Sequence, residues 1–132
     1  IEATRKSLDL AVSRIRAGIR LSEISATIQD FVEANGFSVV RDLVGHGIGS
    51  SLHEDPQIPN YVDKAATSPE NDIILKEGMV LAIEPMVNQG AYEVETLANG
   101  WTVVTKDRKL SAHFEHTVLV TNDKGEVLTF IN

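Results

Sequence analysis

Two of the four histidines, His46 and His53, stand in one glycine-rich stretch, GHGIGSSLHEDPQIPNY, from Gly45 to Tyr61. Neutral imidazole can bind a metal, shuttle a proton or orient a peptide, so chemistry is expected here first. Two acids join it. Glu84 and Glu115 lie in segments whose other residues are mainly apolar, and burying an unpaired carboxylate costs several kcal/mol, so each needs a partner. One nitrogen from His46 with carboxylate oxygens from Glu84 and Glu115 suits divalent transition ions, and a carboxylate can bridge two of them. A plainer reading is equally open on spacing alone: His46 bonds to backbone, Glu84 caps backbone or pairs with Arg41 or Arg108, and Glu115 faces solvent.

Other chemistries fit less well. His53-Glu54 begins like HExxH, but Gln57 stands where the second histidine belongs and Pro56 would break the helix. Gly45-x-Gly47 lacks its third glycine because position 50 is Ser, so dinucleotide binding is unsupported. Ser50 and Ser51 lack the G-x-S-x-G frame of a serine nucleophile. No cysteine is present, which excludes disulfides, thiolate ligands and a Cys nucleophile and is compatible with a reducing compartment.

The elements that must position these groups follow from periodicity. Leu8, Ala11, Val12 and Ile15 recur at helical spacing, predicting a helix over 1–17 with Gly18 as its stop. Ser22 as N-cap opens a second helix, with Ile24, Ile28, Phe31 and Val32 as its apolar stripe and Asn35-Gly36 as its end. FSVVRDLV, from Phe37 to Val44, reads as a strand leading into a histidine-bearing turn. A long irregular connection follows, marked by Pro56, Pro59, Asp63, Ser68, Pro69 and Asp72. A turn at Lys76-Glu77-Gly78 precedes a strand over 79–87, and Asn99-Gly100 marks a hairpin between 91–97 and 101–105. Strands over 112–121 and 126–131 close the chain, and alternation puts His113, Glu115 and Thr117 on one face. The expected class is α+β, two helices packed on an antiparallel sheet.

Composition bounds the function. At 132 residues with 42% hydrophobic content the chain is expected to form a single soluble unit with one core. A formal net charge of -7 argues against nucleic acid as a general partner. The longest apolar run, Met79 to Ile83, is too short to span a bilayer, so neither a membrane partner nor a signal sequence is expected, and a cytoplasmic location is the default.

With His46, His53, Glu84 and Glu115 assembled, the chain resembles type I methionine aminopeptidase through GHGIGSSLHEDPQIPNY, LKEGMVLAIEPMVNQG, NGWTVVTKDRKLSA and FEHTVLVT. The resemblance covers essentially all 132 residues. It implies the pita-bread fold around a site for two divalent ions (Co, Mn, Fe or Zn), and removal of N-terminal methionine from nascent proteins and peptides. It implies His46, Glu84 and Glu115 as metal ligands, Glu115 bridging and Glu84 a proton acceptor; His53 would contact the scissile peptide. Leu52 and Trp101 match positions lining the methionine pocket, and His113 stands where Gln is frequent. Such enzymes take two aspartate ligands and another histidine from a half preceding helix one, and Asp9 and Asp30 do not replace them. The chain is therefore expected to be the C-terminal part of the domain, holding at most a partial metal site and inactive alone. Its partner would be the missing half or a second copy of itself. A non-catalytic peptide-binding chain and another pita-bread hydrolase, such as a prolyl dipeptidase, are the alternatives.

Overall fold

A computed structural model describes residues 1–62 and 71–130. Helix α1 (Glu2–Arg14) buries Thr4, Ser7, Leu8 and Ala11, and α2 (Leu21–Ala34) buries Leu21, Ile24, Ser25, Ile28 and Val32. The two helices pack on each other and against the strands, with Leu8, Ile15, Ile24, Ile28, Leu81, Ile83, Val118 and Val120 in one cluster.

The helix boundaries differ from expectation at three points. Helix α1 ends at Arg14, and Ile15 turns extended (φ -66, ψ 126) and drops its side chain into the core. The chain leaves there because Ala17 and Gly18 donate their N–H groups to the carbonyls of Thr121 and Leu75. Gly18, at φ +88, serves a turn beyond the helix rather than its end. The N-cap of α2 is Arg20, not Ser22. Ser22 sits inside the first turn, where its N–H and hydroxyl donate to Asp72 at 3.1 and 2.6 Å, so a remote carboxylate caps the helix. The Asn35-Gly36 stop holds, with Gly36 at φ +78.

Ten strands follow in the described residues. A five-stranded antiparallel sheet runs in the order β10 (Gly125–Val127), β9 (His116–Val120), β4 (Val80–Ile83), β2 (Gly45–Ile48), β3 (Glu54–Ile58). A three-stranded sheet runs β1 (Ser38–Val39), β5 (Met86–Asn88), β8 (Ser111–His113). β6 (Val94–Thr96) and β7 (Val103–Thr105) form the expected hairpin around Asn99-Gly100, and the Asn99 side chain accepts the N–H groups of Trp101 and Thr102. The α+β reading and the turn at Gly78 (φ +89) stand.

Several strand expectations are corrected. The strand expected over 37–44 survives only at Ser38–Val39, because bends at 41–43 carry the chain from one sheet to the other. His46 lies not in a turn but in strand β2, packed between β3 and β4, whereas His53 lies in the bends over 49–53 that join β2 to β3. The β2 glycines serve close approach instead of positive φ: a Cβ on Gly45 would sit 2.3 Å from the Ala82 carbonyl oxygen, and one on Gly47 2.3 Å from that of Asp55. The connection expected from Pro56 begins as the edge strand β3, where a proline is tolerated because its missing N–H costs no ladder bond. Asp63, Ser68 and Pro69 lie outside the described residues.

The last correction matters most for the site. The expected strand over 79–87 breaks at Glu84-Pro85 into β4 and β5, and that over 112–121 breaks at Phe114-Glu115 into β8 and β9. The breaks face each other: β4 pairs with β9 up to Ile83↔His116, and β5 pairs with β8 from Met86↔His113. One two-stranded ribbon thus leaves the large sheet, creases, and enters the small one. The final strand is also shorter than expected, at Gly125–Val127.

Candidate metal centre

The crease gathers the polar groups. Glu84 enters from one strand of the ribbon and His113 and Glu115 from the other, and one donor atom from each lies within 4.8 Å of the other two. The crease spares Glu84 from standing in a continuous ladder, and its backbone carbonyl accepts from Asn60 Nδ2 at 3.2 Å. Asn60 is fully buried, so the main chain here is fixed from the core side.

His46 reaches the same carboxylate from β2, which pairs with β4 at His46↔Ala82. Its Nε2 lies 3.6 Å from Glu84 Oε1, while His113 Nε2 lies 3.4 Å from Glu84 Oε2. The two imidazoles therefore flank the two oxygens of one acid. His46 Nδ1 stands 2.9 Å from the Gly47 carbonyl oxygen, which can only accept, so Nδ1 carries a proton and Nε2 is the nitrogen turned toward Glu84. His53 stacks on His46 with ring centroids 4.0 Å apart, at the exposed rim.

The arginine reading of Glu84 fails. Arg108 pairs with Glu95, and Arg41 lies over the rings of Tyr92 and Tyr61, 4.2 and 5.4 Å from their centroids. Glu115 is exposed, as the plainer reading expected, yet it stands beside Glu84 and His113 rather than alone.

Two cavities meet at this place. One is polar, lined by His46, His53, Glu54, Gln57, Glu84 and His113 among others. The other, of 480 Å³, is walled by Val40, Leu43, Met86, Val94 and Val103, and Leu43, Met86 and His113 line both. Leu52 and Trp101 line neither; they are 68% and 88% exposed, Trp101 beside the turn of the β6–β7 hairpin.

Contact with the Glu84 carboxylate holds the pKa of His113 above the ordinary 6.5; the charges of Glu84 and Glu115 add to this and partial burial opposes it. His113 binds its proton more tightly folded than unfolded, so its contribution is fully present below pH 6.5 and is lost as pH rises through the raised value. Half-exposed as it is, solvent screening keeps the gain small. With chelator present, the melting temperature of the chain is expected to exceed that of His113→Gln at pH 6, and the margin to shrink by pH 8. A margin independent of pH would refute this.

These donors suit a divalent ion. The model of metallopeptidase family M24 matches residues 1–122. The chain belongs to metallopeptidase family M24. Methionine aminopeptidase of Escherichia coli (strain K12) is 53% identical over 126 residues, which are 96% of this chain and 46% of that protein. The methionine aminopeptidase structure from Thermotoga maritima superposes at a TM-score of 0.90 with 50% identity, covering 98% of this chain and 50% of that one. A Xaa-Pro dipeptidase from Bacillus anthracis, 21% identical at a TM-score of 0.71 over 99% of this chain and 30% of its own, shares the fold alone. The chain spans about half the length of the curated relatives it matches.

For this M24 chain, His113 is the residue that sequence reasoning left without a role. The signal for it was the i, i+2 spacing of His113 and Glu115 on one strand face. The pairing of His46 with Glu84 had no local signal, since the β2–β4 register sets it across 38 residues.

Proposed function

We propose that the chain is the C-terminal half of the catalytic domain of a metal-dependent methionine aminopeptidase, which removes N-terminal methionine from nascent proteins and peptides. The observation that carries this reading is the convergence of His46, Glu84, His113 and Glu115 beside an apolar cavity, in a chain about half identical to enzymes of that name. The donors fit a divalent ion. Two atoms each about 2.1 Å from one ion lie roughly 3.0–3.5 Å apart; His113 Nε2 stands 3.4 Å from Glu84, inside that range, and His46 Nε2 stands 3.6 Å away, just beyond it. His46, Glu84 and Glu115 would hold two ions, with Glu115 bridging and cobalt, manganese, iron and zinc as candidates. Divalent ions bound there would supply Lewis-acid polarisation of the scissile carbonyl.

The chain's own residues do the rest. Glu84, between two imidazoles and largely buried, accepts and returns a proton at its carboxylate. His53, stacked on His46 at the rim, orients the peptide. An unbranched methionine side chain suits the Leu43, Met86 and Val103 cavity; Leu52 and Trp101, exposed in this chain, are assigned to that pocket by family resemblance alone. The remaining ligands come from the other half of the relatives' length, or from a second copy of this chain. We place the activity in the cytoplasm, where nascent chains emerge; among the described residues no helix is long and apolar enough to cross a membrane.

Release of methionine from Met-Ala-Ser tests the reading. The chain alone is expected to be nearly inactive with Co²⁺ or Mn²⁺. Mixed with the half of the E. coli enzyme that it does not match, it is expected to turn over, and to lose turnover with Glu115→Ala. Activity of the chain alone would refute the need for a second half. Preference for an Xaa-Pro dipeptide, or an inert mixture in which the halves associate, would overturn the methionine reading.

A further inference from the structure

We propose that His113 is an additional ligand to the ion held by Glu84 and Glu115, and that it biases the site toward Co²⁺ and Zn²⁺ over Mn²⁺. The inference rests on the metallo-aminopeptidase reading and goes beyond it, because that reading assigns His113 no contact with the metal.

Three observations point the same way. The first is placement: His113 is the last residue of β8, registered against Met86, so its backbone is fixed by a ladder one step from the crease. The second is distance. His113 Nε2 and Glu84 Oε2 are 3.4 Å apart, longer than the roughly 2.7–3.2 Å of a good N–H···O bond, and within the roughly 3.0–3.5 Å expected of two ligands on one ion. The third is the donor set, since His113 lies within the Glu84–Glu115 cluster with a donor atom under 4.8 Å from each. Among the described residues its imidazole has no ion-pair partner besides Glu84. A ring so placed is free to turn its Nε2 lone pair to a cation. His46 matches it on the opposite oxygen of Glu84, at 3.6 Å.

The chemistry sets the selectivity. Carboxylate oxygens alone favour hard ions such as Mn²⁺, whereas each added imidazole favours Co²⁺ and Zn²⁺. Removing one nitrogen donor should therefore weaken borderline ions far more than Mn²⁺. A residue that merely propped up Glu84 would affect all three alike.

The experiment is calorimetric titration of the 132-residue chain, His113→Gln and Glu84→Gln with Co²⁺, Zn²⁺ and Mn²⁺, together with the visible spectrum of the Co²⁺ forms. His113 is half-exposed, so its variant is expected to keep the circular dichroism of the parent. His113→Gln is expected to lose about 10-fold or more in Co²⁺ and Zn²⁺ affinity, to lose less than about 3-fold for Mn²⁺, and to shift the cobalt absorption bands. Equal losses for all three ions, or an unchanged cobalt spectrum while Glu84→Gln abolishes binding, would overturn the role of His113 and leave the metal-site reading standing. No binding by the parent chain overturns the role of His113, while the aminopeptidase reading stands or falls with turnover by the mixed halves.

Discussion

Gly45→Ala is expected to destabilise the chain by about 3 kcal/mol, lowering the melting temperature by roughly 10 °C. Gly45 lies in β2, with β4 on one side and β3 on the other. The new methyl would stand 2.3 Å from the Ala82 carbonyl oxygen and 3.3 Å from Ile58 Cβ. Neither can yield: Ala82 is held in the ladder with His46 and Thr117, and Ile58 is fully buried. The sheet must open at the residue that precedes His46, so the imidazole should also lose its place against Glu84. Gly49→Ala is the control. Its methyl would first meet the Glu54 carboxylate, the far end of a flexible side chain at an exposed position, and a cost under about 1 kcal/mol is expected. Urea unfolding of both variants decides the matter; equal midpoints would show that close approach is not what Gly45 provides.

Glu84→Gln should reduce affinity for Co²⁺ by more than about 100-fold while leaving the fold intact. The carboxylate lies within 3.6 Å of both imidazoles, and an amide in its place offers no negative charge to a cation. The fold should survive because the backbone at this residue is anchored independently, through its carbonyl and Asn60. The variant is isosteric, and the interior around Pro85 and Met86 keeps its volume. Isothermal titration gives the affinity and circular dichroism the fold. Retained affinity within about 3-fold would mean that the ion sits away from the crease, and the site proposed above would have to be redrawn.

Both helices were legible because their apolar residues recur over several turns, and the hairpin because Asn99-Gly100 has one favoured geometry. The glycines of β2 misled. Gly45 and Gly47 read as a turn in a linear sequence, since nothing local separates a glycine that bends the chain from one that admits a neighbouring carbonyl. The break at Glu84-Pro85 did carry a signal, because a proline inside a strand on both sides of which other strands pair should interrupt it. The break at Phe114-Glu115 carried none. It is imposed by the facing strand, and a contact made across 30 residues leaves no local trace. The candidate ligands were therefore identifiable by type and by family resemblance, but their meeting point was not.

The creased ribbon also separates two kinds of change that such a protein can undergo. Its bend is pinned by ladder pairs on each side, Ile83 with His116 and Met86 with His113, while the long β6–β7 excursion leaves from one far end of the ribbon, between Asn88 and Ser111, and a short turn over 121–124 leaves from the other. Loops at those ends can lengthen, shorten or be exchanged without altering the spacing of the acids at the bend. The β6–β7 excursion is thereby free to drift in length and sequence while the groups at the bend stay in register.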